Sequence, residues 1–154
     1  MDFYFFDSSA VVKNYVQETG TNWVKAIFNS TATKIIYVAS VTRVEVISAF
    51  ARRLKGKTLN PSDATMISQQ FKTDFAADLR VLEITPELLD EAVLLTESHA
   101  LRGYNAIQLS SAVELSKEII ALKLGSLIFV SADNELNSAA QAEGLQIENP
   151  NNYP

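Results

Sequence analysis

The chain has 154 residues with 13 basic against 18 acidic side chains, a net charge of −5 that argues against a broadly basic nucleic-acid coat or a membrane-surface protein. Its 47% hydrophobic content fills the core of one domain, bounded here as 1–150 with a tail at 151–154, and excludes disorder for most of its length. The absence of cysteine excludes disulfides, thiolate metal sites and a thiol nucleophile, so any metal must sit on oxygen or on the single histidine.

In chain order, Phe3-Tyr4-Phe5-Phe6 follows Asp2 rather than a basic region and is too short for a signal peptide or a membrane span. It predicts a buried strand, and the cysteine-free chain is expected to be cytoplasmic. Trp23 with Val24, Ile27 and Phe28 predicts packing rather than a base-stacking surface. Ile35-Ile36-Tyr37-Val38 predicts a second strand. Val44, Ile47, Ala51 and Leu54 share one face of a helix that Gly56 ends. A further helix starts near Asn60-Pro61-Ser62, and Val81-Leu82-Glu83-Ile84 predicts a third strand.

Thr85-Pro86-Glu87 supplies a cap and a proline at the first helical position, opening a helix through Leu88, Ala92 and Leu95. His99 near its end suits the helix dipole better than a metal. Another helix starts near Asn105, where Gln108 three residues on would complete a capping box. Leu127-Ile128-Phe129-Val130 predicts a fourth strand, a helix runs from Asn134 to Glu143, and Leu145-Gln146-Ile147 predicts a short fifth strand. Strands alternating with helices imply a three-layer α/β/α sandwich around a short, mainly parallel sheet.

In such a sheet ligands bind beyond the carboxyl ends of the strands. Asp7 directly follows the first predicted strand, and Asp133 follows the fourth across Ser131-Ala132. Each could simply cap a helix. Parallel strands, however, bring both carboxylates to one edge, where a divalent cation relieves their repulsion. Oxygen ligands without cysteine favour Mg²⁺ or Mn²⁺ over zinc. Glu45, inside Val44-Glu45-Val46-Ile47, is a third acidic candidate, with Arg43 and Arg52 as alternative ion-pair partners.

Asp7-Ser8-Ser9-Ala10-Val11-Val12-Lys13-Asn14-Tyr15, Val41-Thr42-Arg43-Val44-Glu45-Val46, Leu101-Arg102-Gly103-Tyr104-Asn105-Ala106-Ile107-Gln108-Leu109 and Phe129-Val130-Ser131-Ala132-Asp133 occur in that order. Together they resemble the PIN-domain nucleases, and within them the VapC-like ribonuclease toxins of toxin–antitoxin modules. The resemblance covers nearly the whole chain. It implies a metal-dependent endoribonuclease acting on single-stranded RNA or tRNA, with Asp7, Glu45 and Asp133 catalytic and Asp7, Asn105 and Asp133 at the Mg²⁺ or Mn²⁺. Ser9 and Ser131 would support the carboxylates. A homodimer and a cognate antitoxin are also implied, with Tyr15, Val16 and Trp23 offering apolar surface.

One position departs from the family pattern: Asn105 stands where an aspartate is usual. Asparagine offers a carbonyl oxygen but neither charge nor a base, which implies weakened cleavage or a silent binding module. The cluster Arg52-Arg53-Leu54-Lys55-Gly56-Lys57 could guide RNA phosphates through Arg52, Arg53, Lys55 and Lys57, or could only complement a helix C-terminus. A haloacid-dehalogenase-type phosphatase would need Asp-x-Asp after the first strand, and Asp7-Ser8-Ser9 does not supply it.

Overall fold

Aromatic and β-branched runs become strands, and capped amphipathic segments become the helices between them. A computed structural model describes residues 1–154 and runs β1 (Asp2–Phe6), α1 (Ser8–Val12), α2 (Thr21–Phe28), β2 (Lys34–Ala39), α3 (Thr42–Lys55), α4 (Pro61–Ala77), β3 (Arg80–Leu82), α5 (Pro86–His99), α6 (Gly103–Ala121), β4 (Leu127–Val130), α7 (Asn134–Ala142), β5 (Gln146–Glu148) and a 3-10 turn at Pro150–Asn152. The sheet order is β3-β2-β1-β4-β5, and every neighbouring pair is parallel. This is the expected α/β/α class, and the sheet is parallel throughout. No helix is long and apolar enough to cross a membrane.

Alternation along β1 builds both layers. Phe3 and Phe5 enter one cluster with Leu95, Leu109, Phe129 and Leu136, while Tyr4 and Phe6 enter the other with Val11, Val24, Phe50 and Phe71. Phe5 and Phe129 are register partners whose rings stack at 5.7 Å. Each fully buried phenylalanine contributes roughly 1.5–3 kcal/mol by removing apolar surface from water.

The proline starts follow from local chemistry. Asn60 and Thr85 accept from the amides of Asp63 and Leu88 at 2.8 and 3.2 Å, and Pro61 and Pro86 open the helices.

Three expectations change. On α3 the buried residues are Thr42, Val46 and Phe50, while Val44, Ala51 and Leu54 are exposed. Burying the Phe50 ring against Tyr15 and Phe71 turns the helix by about one residue from the predicted face. Asn105 does not cap α6, which starts two residues earlier with Arg102 at its N-cap and no side-chain cap bond. Tyr15 and Val16 pack against the second cluster, and the Tyr15 hydroxyl donates to Asp74 at 2.7 Å, so neither is free apolar surface. Exposed apolar side chains are found instead on α5, at Leu89, Val93 and Leu94, with others at Met66 on α4 and at Ile120, Leu122 and Leu124 at the end of α6.

The residues set apart as a tail are exposed, but one of them is held by contacts with the body of the fold. Tyr153 stacks on Trp23 at 4.7 Å with ring planes 3° apart, and its hydroxyl donates to Glu148 at 2.7 Å. Gly20 lets the C-terminal turn approach: its φ is +85°, and a Cβ there would lie 2.2 Å from the Pro150 carbonyl oxygen. Gly20→Ala is therefore expected to cost more than about 1 kcal/mol of unfolding free energy in urea, from left-handed strain and the backbone clash together. An unchanged midpoint and slope would show that this clasp gives way freely.

Candidate active site

β1 lies at the centre of the sheet; the chain winds outward through β2 and β3, then returns to β4 and β5 on the other side. The point of reversal is the carboxyl edge of β1 and β4, the place where such sheets bind ligands. Phe6 and Val130 are register partners there, and the Asp7 amide donates to the Val130 carbonyl at 3.0 Å. The segments that follow both strands are thus held side by side.

Asp7 and Asp133 are both helix caps. Asp7 Oδ1 accepts from the Ala10 amide and Asp133 Oδ1 from the Leu136 amide, each at 3.0 Å. Capping uses only part of each carboxylate. Asp7 Oδ1 also accepts from the Ser9 hydroxyl at 2.7 Å, and Asp7 Oδ2 from the Ser131 hydroxyl at 2.6 Å. Each carboxylate oxygen accepts about two hydrogen bonds, so Asp7 keeps one open site, on Oδ2. Ser9 Oγ accepts from the Ala132 amide and Ser131 Oγ from the Asp133 amide, both at 3.0 Å. The two serines therefore stitch the loop after β1 to the loop after β4.

Glu45 reaches the same place from α3. The Ser8 hydroxyl donates to its Oε1 at 2.9 Å, and Gln108 Nε2 donates to the same oxygen at 2.8 Å. Neither Arg43 nor Arg52 pairs with it; the Arg43 guanidinium lies over the Phe75 ring at 6.0 Å. Asn105 Nδ2 donates to Asp133 Oδ2 at 3.2 Å. Asp7, Glu45, Asn105 and Asp133 all line one cleft of about 1060 Å³. A second hollow, about 550 Å³ beside Lys34, Asp74 and Arg80, lies at the amino ends of β2 and β3.

The cleft is electrostatically unbalanced. None of Asp7, Glu45, Asp133 or Glu135 forms an ion pair. Asp7 is 3% exposed, and its carboxyl is pushed up to about 6, first by burial and further by the charge of Glu45, against the pull of its hydrogen bonds. A buried carboxyl near a second acid, with one acceptor site unused and no ion-pair partner, has the donor chemistry of a hard divalent-metal ligand. The acids are spread around the cleft, however, and no three acidic or imidazole side chains are grouped closely enough to enclose an ion. The donor set therefore fits an ion shared with water and not a closed cage.

Of the predicted basic cluster, only Arg52 lines the cleft. It follows Glu45 by seven residues, two turns along the same helix face. Arg53 is drawn away into an ion pair with Glu18, and Lys55 and Lys57 are exposed beyond the cleft. His99, in the last turn of α5, lies 2.9 Å from Glu143 and outside the cleft.

Sequence reasoning missed the role of Gln108. It is 1% exposed; its Nε2 lies 3.0 Å from both the Ser8 and Thr42 hydroxyls as well as on Glu45, and its Oε1 is buried without a partner. It is not half of a capping box. The available signal was a glutamine amid the apolar and small residues Ala106, Ile107, Leu109 and Ala112, where an uncharged polar group needs a partner. Gln108→Leu is expected to lower any cleavage about 10- to 100-fold without changing RNA affinity, because Glu45 loses the donor that aims it. Equal losses in kcat and RNA affinity would point to a collapsed cleft instead.

No family model matches the chain. Ribonuclease VapC49 of Mycobacterium tuberculosis is 27% identical over 147 residues, covering 96% of this chain and 95% of that protein. Among solved structures, PAE2754 from Pyrobaculum aerophilum superposes with a TM-score of 0.65 at 17% identity, covering 98% of this chain and 85% of its own. A toxin–antitoxin complex from Klebsiella pneumoniae superposes with a TM-score of 0.61 at 13% identity, covering 96% and 97%.

Proposed function

We propose, from a PIN-like fold and a resemblance to VapC ribonucleases along nearly the whole chain, that the protein is a divalent-metal-dependent endoribonuclease and the toxin of a toxin–antitoxin module. The observation that carries this reading is the gathering of Asp7, Glu45 and Asp133, all without cationic partners, in one cleft at the sheet's point of reversal. Asp7 and Asp133, with the Asn105 carbonyl oxygen, would hold Mg²⁺ or Mn²⁺. A bound ion of this kind lowers the pKa of water and offsets charge on a phosphate.

The chain's own residues do the rest. Ser9 and Ser131 hold Asp7 with one acceptor site of Oδ2 unused, while Gln108 and Ser8 hold Glu45 in the same cleft. Glu45 is free of ion pairs and suited to accept a proton from water. Water would be the nucleophile at the phosphodiester phosphorus: as its oxygen bonds to phosphorus the P–O bond to one ribose oxygen breaks, Glu45 takes a proton from the water, and the leaving ribose oxygen gains one to become a hydroxyl. An antitoxin is the expected protein partner. A homodimer would cover Leu89, Val93 and Leu94, which leave α5 with exposed apolar surface.

A second reading has its own observation. The amide of Asn105 occupies Asp133 Oδ2 as a neutral donor, the arrangement of a weakened or silent site that keeps its shape for binding. Labelled RNA incubated with Mg²⁺ or Mn²⁺ separates the two. Metal-dependent cleavage that chelation stops supports the nuclease; RNA bound but left intact at every metal concentration supports the binding module.

A further inference from the structure

The rim of the cleft carries groups that the acidic floor does not use. Tyr104 lines it and is 57% exposed, an aromatic ring left in water at the second position of α6. Arg102, two residues earlier, lines the cleft from the α6 side and Arg52 from the α3 side. Both guanidinium groups are exposed and neither forms an ion pair, although four carboxylates line the same cleft. Leu101, buried beside Arg102, ties this segment into the core. The rim thus carries two cations without ion-pair partners and one exposed aromatic ring.

We propose that Tyr104 is a stacking platform for one base of a single-stranded RNA, with Arg102 at the start of α6 and Arg52 on α3 each taking a backbone phosphate. The proposal rests on the nuclease reading for its choice of ligand and adds how the strand is held. Three physical arguments favour this occupant. An acidic floor repels a polyanion, so free cations on both walls are what allow a phosphate backbone to cross it. Exposed aromatic rings beside arginines bind bases without regard to sequence, since every base has a π-face. In a duplex that face is already covered by neighbouring bases, so the ring selects an unpaired strand. Tyr104 would then fix which nucleotide sits over Asp7 and Asp133, making it a positioning residue for the cut.

The test is a binding cycle in an Asp133→Asn background, where the RNA stays intact. Binding of short single-stranded oligoribonucleotides is measured by fluorescence anisotropy, with one abasic residue moved along the strand. Tyr104→Leu, which keeps apolar bulk but loses the ring, should weaken binding of intact RNA about tenfold, while Tyr104→Phe should bind like the parent. At one abasic position the parent should lose the same factor, and Tyr104→Leu should lose nothing more. Arg52→Gln and Arg102→Gln should each flatten the salt dependence by roughly 0.7 in log–log slope, the contribution of one phosphate contact on a single strand. Additive losses in the cycle, or equal binding by Tyr104→Leu and Tyr104→Phe, overturn the proposal. Tighter binding of duplex than single-stranded RNA overturns it too. Cleavage by the chain with Asp133 intact is measured separately: if it is absent, the nuclease reading falls while the cycle still decides the stacking role.

Discussion

Replacing Asp7 with asparagine is expected to abolish RNA cleavage and at the same time make the protein harder to unfold at pH 7. The two effects have one cause. Asp7 is buried, and its carboxyl titrates at about 6 instead of the ordinary 3.8, so the fold resists its ionisation. Between these values the native state holds a proton that the unfolded chain has lost, and stability falls as pH rises through that window. Above pH 6 the ionised group costs the fold about 3 kcal/mol at most. Asparagine removes that cost and keeps an oxygen for the Ala10 amide, while giving up the charge-assisted bonds from Ser9 and Ser131.

A net gain of about 1–2 kcal/mol for Asp7→Asn at pH 7 is therefore expected, shrinking to nothing or reversing near pH 4. Urea unfolding of both proteins at pH 4, 5 and 7 measures it. Divalent metal supplies the complementary arm. Mn²⁺ should stabilise the parent by about 2.7 kcal/mol at a hundredfold excess over its dissociation constant, and should leave Asp7→Asn unmoved. A variant less stable than the parent at pH 7, or equally stabilised by Mn²⁺, would mean that Asp7 serves the fold as a cap and nothing else.

Asn105→Asp is expected to raise divalent-metal affinity by tenfold or more, about 1.4 kcal/mol, and to raise cleavage with it. In the present chain the Asn105 amide faces Asp133 Oδ2 at 3.2 Å as a neutral donor. An aspartate there sets two carboxylates against each other, a repulsion that only a cation relieves. Metal-free Asn105→Asp should melt lower than the parent, and its rise in melting temperature on adding Mn²⁺ should be larger. The fold itself should survive, because position 105 lies in the first turn of α6, where a negative charge suits the helix dipole. Adding Asp7→Asn or Asp133→Asn to Asn105→Asp should silence it. If the aspartate version cuts no faster across a full Mg²⁺ and Mn²⁺ titration, residue 105 orients Asp133 and does not contribute to a metal site.

Much of the molecule was legible without coordinates where the signal is local. Aromatic and β-branched runs identified the strands, Thr85-Pro86 and Asn60-Pro61 marked helix starts, and the aspartates after two strands pointed to the sheet edge where a ligand would sit. These features depend on neighbours a few residues away, so spacing alone carries them. The tertiary structure decided what depends on partners distant in sequence. Which face of α3 is buried follows from Phe50 meeting Tyr15 and Phe71, not from the helix's own pattern. That the last residues clasp α2 follows from Trp23 meeting Tyr153 and from Gly20 leaving room for Pro150. Gln108 reaches Glu45 across 63 residues and Ser131 reaches Asp7 across 124. No periodicity encodes such pairings, because each exists only once the sheet has brought the ends of β1 and β4 together.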